Sequence, residues 1–364
     1  MILHRYFARR FAITFAATFG GFFLLMLLID LVEQLRRFGG DASFAEVLQL
    51  SLLNLPDGLY GIMPLIMVLA TIAMFLGLAR SSEMVVTRAA GRSALKALIA
   101  PIIVTLLIGA VAVAVFNPLV AATSKEFEAR EAALKSGGPS VLSISSGGLW
   151  LRQGSDTSQT VIRAARTNLD GTELQDVTFL TFTPTGGPTR RIEAATATLT
   201  PGAWTLIDAK VWPLDRARVA EQWATTHAEL RIPSTLTADE IRDSFGAPSS
   251  IPIWELPAFI DRLEVAGFSA TRHAVWMHME LALPLFLLAM VLIGSAFTMR
   301  HQRGGRTGVM VLTAVLICFA LFFLRNFAQI LGENGQIPPI LAAWAPPIAA
   351  IGAALGLLLH TEDG

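Results

Sequence analysis

The sequence predicts an α-helical membrane protein of six transmembrane helices, three before and three after an inserted all-β domain. Three observations carry that prediction. The 364 residues are 53% hydrophobic against 15% charged, with a mean hydropathy of +0.57, and water does not solvate such a composition. Of the charged residues, 33 fall between positions 125 and 272, so the middle and the two ends serve different solvents. Outside that block lie six apolar runs of about 18 to 22 residues. A helix needs ~20 residues to cross a ~30 Å hydrocarbon core.

The runs cover residues 11–29, 58–78, 97–116, 281–299, 307–324 and 340–359. A lipid-exposed segment must satisfy its own backbone hydrogen bonds, so each is read as a helix. Orientation follows from the basic residues of the connections. With the N-terminus inside, the inner segments hold Arg5, Arg9 and Arg10, then Arg80, Arg88, Arg92 and Lys96, then Arg300, Arg303 and Arg306. The opposite short loops hold only Arg36 and Arg37. Positive charge stays inside, which puts both termini in the cytoplasm and the middle domain on the far side. A cleavable signal is the competing reading of the N-terminus, and Arg9-Arg10 resembles a twin-arginine pair. The apolar run is too long for a signal core, and its removal would invert the side of every later loop. The expected division is 1–120 for the first three spans, with a short cytoplasmic helix at about 80–91. Residues 121–275 form the polar domain and 276–364 the last three spans.

Within the polar domain, short strands are expected at 141–146, 149–153, 160–164, 177–183, 192–199 and 204–212. Ser-Gly-Gly, Gly-Ser-Asp, Leu-Asp-Gly, Pro-Thr-Gly-Gly-Pro and Pro-Gly turns separate them. In the last strand, Thr205, Ile207, Ala209 and Val211 alternate with Asp208 and Lys210, the pattern of a half-buried sheet. Strands at this spacing fit a sandwich or an open barrel. A charged helix at 124–135 leads in. Leu256, Phe259, Ile260 and Leu263 recur at helical spacing on the way out.

Several chemistries have no address here. The 28 basic and 28 acidic residues cancel, which removes the electrostatic case for nucleic acid as a partner. The lone Cys318 permits no internal disulfide. No P-loop occurs, so ATP, if used, belongs to another subunit. His273 and His278 are five apart with Glu280 nearby, whereas a zinc helix needs its histidines four apart. These read instead as polar residues at the membrane interface before the fourth span. No nucleophile elbow appears, and no catalytic residue, metal ligand or directly bound cofactor is expected.

Two clusters stand out. Between spans two and three, Arg80-Ser-Ser-Glu-Met-Val-Val-Thr-Arg-Ala-Ala-Gly91 reads as a short helix. Ser81 or Ser82 caps it, Glu83 sits at its positive end, and Met84, Val85, Thr87 and Arg88 lie across a turn before Gly91 ends it. Such a helix fits a partner's groove, or lies in the interface. At the outer ends of spans one and three, Arg36 and Arg37 stand level with Lys125 and Arg130, and Arg325 lies near the outer end of span five. Arginine forks suit phosphate oxygens, so an anionic lipid headgroup is one ligand for this ring. Helix anchoring, with Asp30, Glu33 and Asp57 as structural partners, is the other reading. An autonomous secondary transporter would carry ionisable residues deep within spans, whereas charges here are read at span ends. A membrane-anchored assembly protein would not need a capped acidic helix on the cytoplasmic side.

The chain resembles the LptF/LptG permeases of the lipopolysaccharide-export ABC transporter. The resemblance rests on His4-Arg5-Tyr6, Asp30-Leu-Val-Glu-Gln-Leu-Arg-Arg37, the stretch from Arg80 to Gly91, Gly148-Leu-Trp-Leu151 and Ile337-Pro-Pro-Ile-Leu-Ala-Ala-Trp-Ala-Pro346. It implies a multi-pass inner-membrane protein with a periplasmic β-jellyroll, paired with an LptF-like permease around a cavity that admits lipopolysaccharide. It also implies an LptB-like ATPase dimer, which binds the ATP, and an LptC-like periplasmic acceptor. Arg80, Ser82, Glu83, Met84, Arg88 and Gly91 map onto the ATPase-coupling helix. Arg36 and Arg37 map onto lipopolysaccharide-binding positions, and Lys125 and Arg130, cations at the same level, are taken with them as lipopolysaccharide-binding candidates. Relatives carry a basic residue where this chain has Asp30, so headgroup contacts differ here.

Overall fold

The computed structural model describes residues 2–38, 43–89, 94–134, 142–145, 148–155, 158–167, 172–183, 187–214, 220–234, 236–237, 247–265, 269–299 and 307–362. The chain divides into two units. One is helical (Met1–Gly137, Pro248–Trp254 and Thr271–Gly364); the other carries the strands (Gly138–Ala247 and Glu255–Ala270).

The helical unit contains α1 (Ile2–Phe38), α2 (Phe44–Gly61), α3 (Met63–Arg80), the short α4 (Glu83–Ala89), α5 (Ala94–Val111), a π turn (Ala112–Phe116) and α6 (Asn117–Leu134). After the strands and α7 (Leu256–Val265) come α8 (Thr271–Thr298), α9 (Thr307–Glu333) and α10 (Pro339–Glu362). Six helical stretches are long and apolar enough to cross a membrane: Leu3–Phe38, Met63–Arg80, Lys96–Glu131, Thr271–Thr298, Gly308–Glu333 and Pro339–His360. They overlap the six apolar runs; the first, third, fourth, fifth and sixth reach beyond them at one or both ends, whereas the second begins at Met63 because the run 58–78 straddles the end of α2 at Gly61. The third passes through the π turn straight into the charged helix expected at 124–135. The fourth begins at Thr271, so Glu280 lies inside a span and not before it.

One helix was not anticipated. α2 starts at a capping box: Ser43 Oγ accepts from the Glu46 N–H at 3.4 Å, and the Glu46 carboxylate accepts from the Ser43 N–H at 2.8 Å. The Ser-x-x-Glu signature is in the sequence. The helix then buries Val47, Leu50, Leu55 and Leu59 at helical spacing.

α8 is the hub of the bundle and packs against α3, α5, α9 and α10. Hydrocarbon gives helices no hydrophobic drive toward one another, so association depends on close backbone approach at small residues. Gly109 of α5 lies so near Pro284 of α8 that a Cβ there would stand 2.7 Å from the Pro284 Cα. A Cβ on Gly294 would meet Thr71 of α3 at 3.2 Å. Phe7, Phe11, Met67, Phe75, Leu98, Phe286 and Met290 fill the core around these crossings. By contrast α1 exposes Ile13, Leu24, Leu28, Ile29 and Val32, and α9 exposes Val309, Leu312, Leu316, Phe323 and Phe327.

The strands β1 (Leu142–Ser145), β2 (Gly148–Ser155), β3 (Ser158–Thr167), β4 (Glu173–Phe182), β5 (Pro188–Thr200), β6 (Ala203–Pro213) and β7 (Thr225–Pro233) form one antiparallel sheet in sequence order. Six lie where the sequence places strands. β7 escaped notice because Thr-Thr-His-Ala-Glu shows little apolar alternation; among the described residues it pairs with β6 alone, and it is mostly exposed. One face is buried: Leu151, Ile162, Phe179 and Ile192 stand side by side across β2 to β5. Leu174, Ala197 and Leu206 make a second row, with Trp204 edge-on to Phe179.

The face of β6 differs from the sequence reading. Buried residues are spaced by three and not two at Leu174 to Val177, Ala194 to Ala197 and Leu206 to Ala209, so three adjacent strands each carry an extra residue at the same level. Asp176 and Asp208 take positive φ of 52° and 53° there, a conformation aspartate tolerates better than most residues. The insertion reverses the alternation. Leu206 is therefore buried and Ile207 is 41% exposed, on the side expected to hold Asp208.

Two measurements check these packings. Cysteine at position 207 should react with a water-soluble maleimide at least about tenfold faster than cysteine at position 206, because local opening limits only the buried site. Gly109→Val should lower bundle stability by about 1–3 kcal/mol through overpacking. Gly352→Val, whose Cβ meets nothing within 4 Å, should leave the melting temperature in detergent unchanged.

Candidate functional site

α4 is held to the bundle by its first residue. Tyr6 of α1 donates its hydroxyl to Glu83 Oε2 at 2.7 Å, and Ser81 Oγ donates to Glu83 Oε1 at 2.8 Å. The Tyr6 hydrogen bond first, then Ser81, with Arg10 nearby, holds the Glu83 carboxyl below the usual carboxylate range. Thr87 is buried and donates back to the Glu83 carbonyl at 2.8 Å. Ser82 takes a positive φ of 57°, and its carbonyl accepts from the Val86 N–H. The Ser81 hydroxyl does not cap α4; it bonds the Gly77 carbonyl at the end of α3 as well as Glu83. What α4 turns outward is Val86, 68% exposed, with Arg80 and Ser82 also exposed beside it. The side chains of Met84 and Arg88, and all of Gly91, lie outside the described residues.

The second candidate cluster gathers where α1 meets α6. Arg37 Nε donates to Glu33 at 2.8 Å and its Nη1 lies 3.9 Å from Glu131 of α6. Arg36 pairs with the same Glu33 at 3.3 Å, and Arg130 pairs with Glu126 at 2.7 Å. Lys125 is exposed. Asp30 does not join these cations but accepts from Asn54 of α2 at 2.7 Å. The Arg36 and Arg37 side chains remain 77% and 50% exposed, and exposed pairs of this kind contribute little. The cluster is thus a set of cations with replaceable partners.

A third cluster was not found from sequence. Glu280 of α8 is buried, and its Oε2 accepts from the Tyr60 hydroxyl of α2 and from Asn117 Nδ2 of α6 at 3.1 Å. Arg325 of α9 is close enough to act on the same charge, and its guanidinium lies 5.3 Å from the centre of the Phe286 ring. The expectation that charges gather at span ends therefore fails at Glu280, in the interior of α8. The apolar run begins at residue 281 by hydropathy alone, and that cut left the carboxylate outside. A signal did exist: the chain has two tyrosines, Tyr6 and Tyr60, and each donates to a glutamate.

Comparison with known proteins gives these clusters a context. A family profile described as "Lipopolysaccharide export system permease LptF/LptG" matches residues 5–360. The lipopolysaccharide export system permease protein LptG of Haemophilus influenzae is 24% identical over 352 residues, covering 93% of this chain and 93% of its own. The LptG protein of Escherichia coli K12 is 25% identical over 379 residues, covering 99% of this chain and 98% of its own. Because the family match runs without interruption through both groups of helices and the sheet inserted between them, the chain belongs to the LptF/LptG family of lipopolysaccharide export permeases.

Proposed function

We propose that this chain is the non-hydrolysing membrane subunit of an ATP-driven exporter that lifts lipopolysaccharide from the inner membrane toward the outer membrane. ATP is bound and split by a separate LptB-like ATPase dimer that seats on α4. An LptF-like permease covers the apolar faces of α1 and α9, and an LptC-like protein receives the lipid. Both termini are cytoplasmic and the sheet is periplasmic, in keeping with the ten basic residues in the short connections on one side against two in the short connections on the other. The observation that carries the reading is the Tyr6–Glu83 contact. It makes a short helix between two spans move with a third, and that third helix, α1, bears Arg36 and Arg37 at its opposite end. A displacement of α4 by the ATPase is thereby delivered to the helix whose cations face a phosphorylated headgroup, and Lys125 and Arg130 of α6 are read as serving the same headgroup. The exposed Val86 supplies apolar contact to the ATPase groove.

Glu83→Ala frees α4 from α1 while leaving membrane insertion intact. ATPase association in a pull-down should weaken on the order of fivefold, the equivalent of ~1 kcal/mol for a lost hydrogen bond. Unaltered association together with full export would remove Glu83 from the mechanism. Joint reversal of Arg36 and Arg37 to Glu should bring lipopolysaccharide-stimulated ATP hydrolysis in nanodiscs down toward the unstimulated rate. If stimulation persists, the two arginines serve as helix anchors.

A further inference from the structure

The break between α5 and α6 has a covalent cause. Pro118 has no N–H to give the Ala114 carbonyl, and the Asn117 N–H reaches back to Ala112, closing a π turn. Ala114 is left with a free acceptor, and Trp254 Nε1 donates to it at 3.2 Å. Next to it, the Ile253 N–H donates to Asn117 Oδ1 at 2.9 Å. Two hydrogen bonds thus dock the segment Pro248–Trp254, the stretch through which the chain returns from the strands, onto the helix break. The Tyr60 ring stacks on Phe116, the last residue of the turn, with centroids 5.8 Å apart.

An asparagine amide presents an acceptor from one end and donors from the other, and nothing in its shape decides which way round it sits. Here the neighbour decides. A carboxylate offers only acceptors, so Asn117 turns its NH₂ to Glu280 and must turn its oxygen to Ile253. Tyr60, bonded to the same oxygen, fixes that carboxylate in turn. We propose that Glu280 is a positioning residue: by orienting Asn117 it docks the return segment at Ile253 on the bundle, so that displacement of α8 against α2 and α6 is relayed to the chain leading to the strands. The relay rests on the exporter reading above; the positioning role does not. An ionisable side chain buried in a span is costly and gives little net stability over an apolar one, which argues for a task beyond packing.

Hydrogen exchange read by mass spectrometry on peptides covering 251–254, with the full chain in lipid nanodiscs, tests the positioning role. Glu280→Leu should speed exchange at Ile253 about tenfold, although Glu280 itself does not touch that residue. Glu280→Gln, which keeps an acceptor for Asn117 and Tyr60, should restore protection, and peptides of α3 should stay unchanged in both. If Glu280→Leu does not fold, Tyr60→Phe, which unfixes the carboxylate more gently, should give a smaller acceleration in the same peptide. Positioning is overturned if protection is unchanged in Glu280→Leu, or in Tyr60→Phe where that variant stands in, while Asn117→Leu loses it. It is equally overturned if Gln and Leu variants behave alike. The relay is tested in the complex with the ATPase, comparing nucleotide-free and vanadate-trapped states. Protection at 251–254 should change with nucleotide in the wild type and not in Glu280→Leu. A bound ATPase with no change at 251–254 overturns the relay, whereas failure of the ATPase to bind overturns the exporter reading and the relay with it, and leaves positioning to the first measurement.

Discussion

Hydrocarbon offers no hydrogen bonds, so a chain with six apolar spans must set each polar side chain in the bundle against another part of itself. That requirement chooses which segments touch. Glu280 draws Tyr60 and Asn117 to one point and brings Arg325 within electrostatic reach, joining α2, α6, α8 and α9. The hydroxyls of Thr71, Thr105 and Thr298 bond carbonyls of their own helices and need no tertiary partner. These three threonines close locally, whereas Glu280 cannot and becomes a tertiary contact of the bundle.

The same rule sets off the end of α1. Tyr6 and Glu83 meet where α4 leaves the bundle, and Tyr60 and Glu280 meet inside it. Both pairs use a phenol, a donor carried on a large apolar ring, to reach a carboxylate without exposing further polar surface. A serine at either position could not span the gap between helices, and a lysine would add a second charge. The two pairs also differ in kind. At Glu83 the partners come from α1 and the α3–α4 corner, so the pair ties a seven-residue helix to a long one. At Glu280 they come from three other helices, α2, α6 and α9, so the pair fixes a hub.

The spans were legible because their signal is compositional and long. The strands were legible from turn residues such as Pro201-Gly202, where Gly202 takes a φ of 81°. What was lost depends on single residues. A hydropathy window that starts at Leu281 discards Glu280, since one carboxylate lowers the average of its neighbours while its partners, Tyr60 and Asn117, are 220 and 163 residues away. The reversal of alternation at Asp208 is invisible to a period-two pattern because the extra residue is marked only by an aspartate in a left-handed conformation. Asp176 makes the same insertion two strands away, and only the register shows that the two lie on one line across the sheet. The helix at α4 was placed correctly, but the direction of Glu83 was not readable, since nothing local says that Tyr6 lies beside it.

Pairing of the arginines at the end of α1 does not weigh against a headgroup ligand. Arg36 and Arg37 share one carboxylate, Glu33, so two cations are balanced by a single anion on their own helix. Glu131 lies at the edge of ion-pair distance from Arg37 and is itself on α6. A phosphate that approaches this end replaces an exposed, weakly held carboxylate with a more highly charged acceptor, and the exchange costs little because exposed ion pairs contribute little. On the exporter reading, Glu33 occupies both guanidinium groups when no lipid is bound. That hold is weak, so Glu33 biases the arginine pair only slightly toward release, and movement of the helix has to supply the rest.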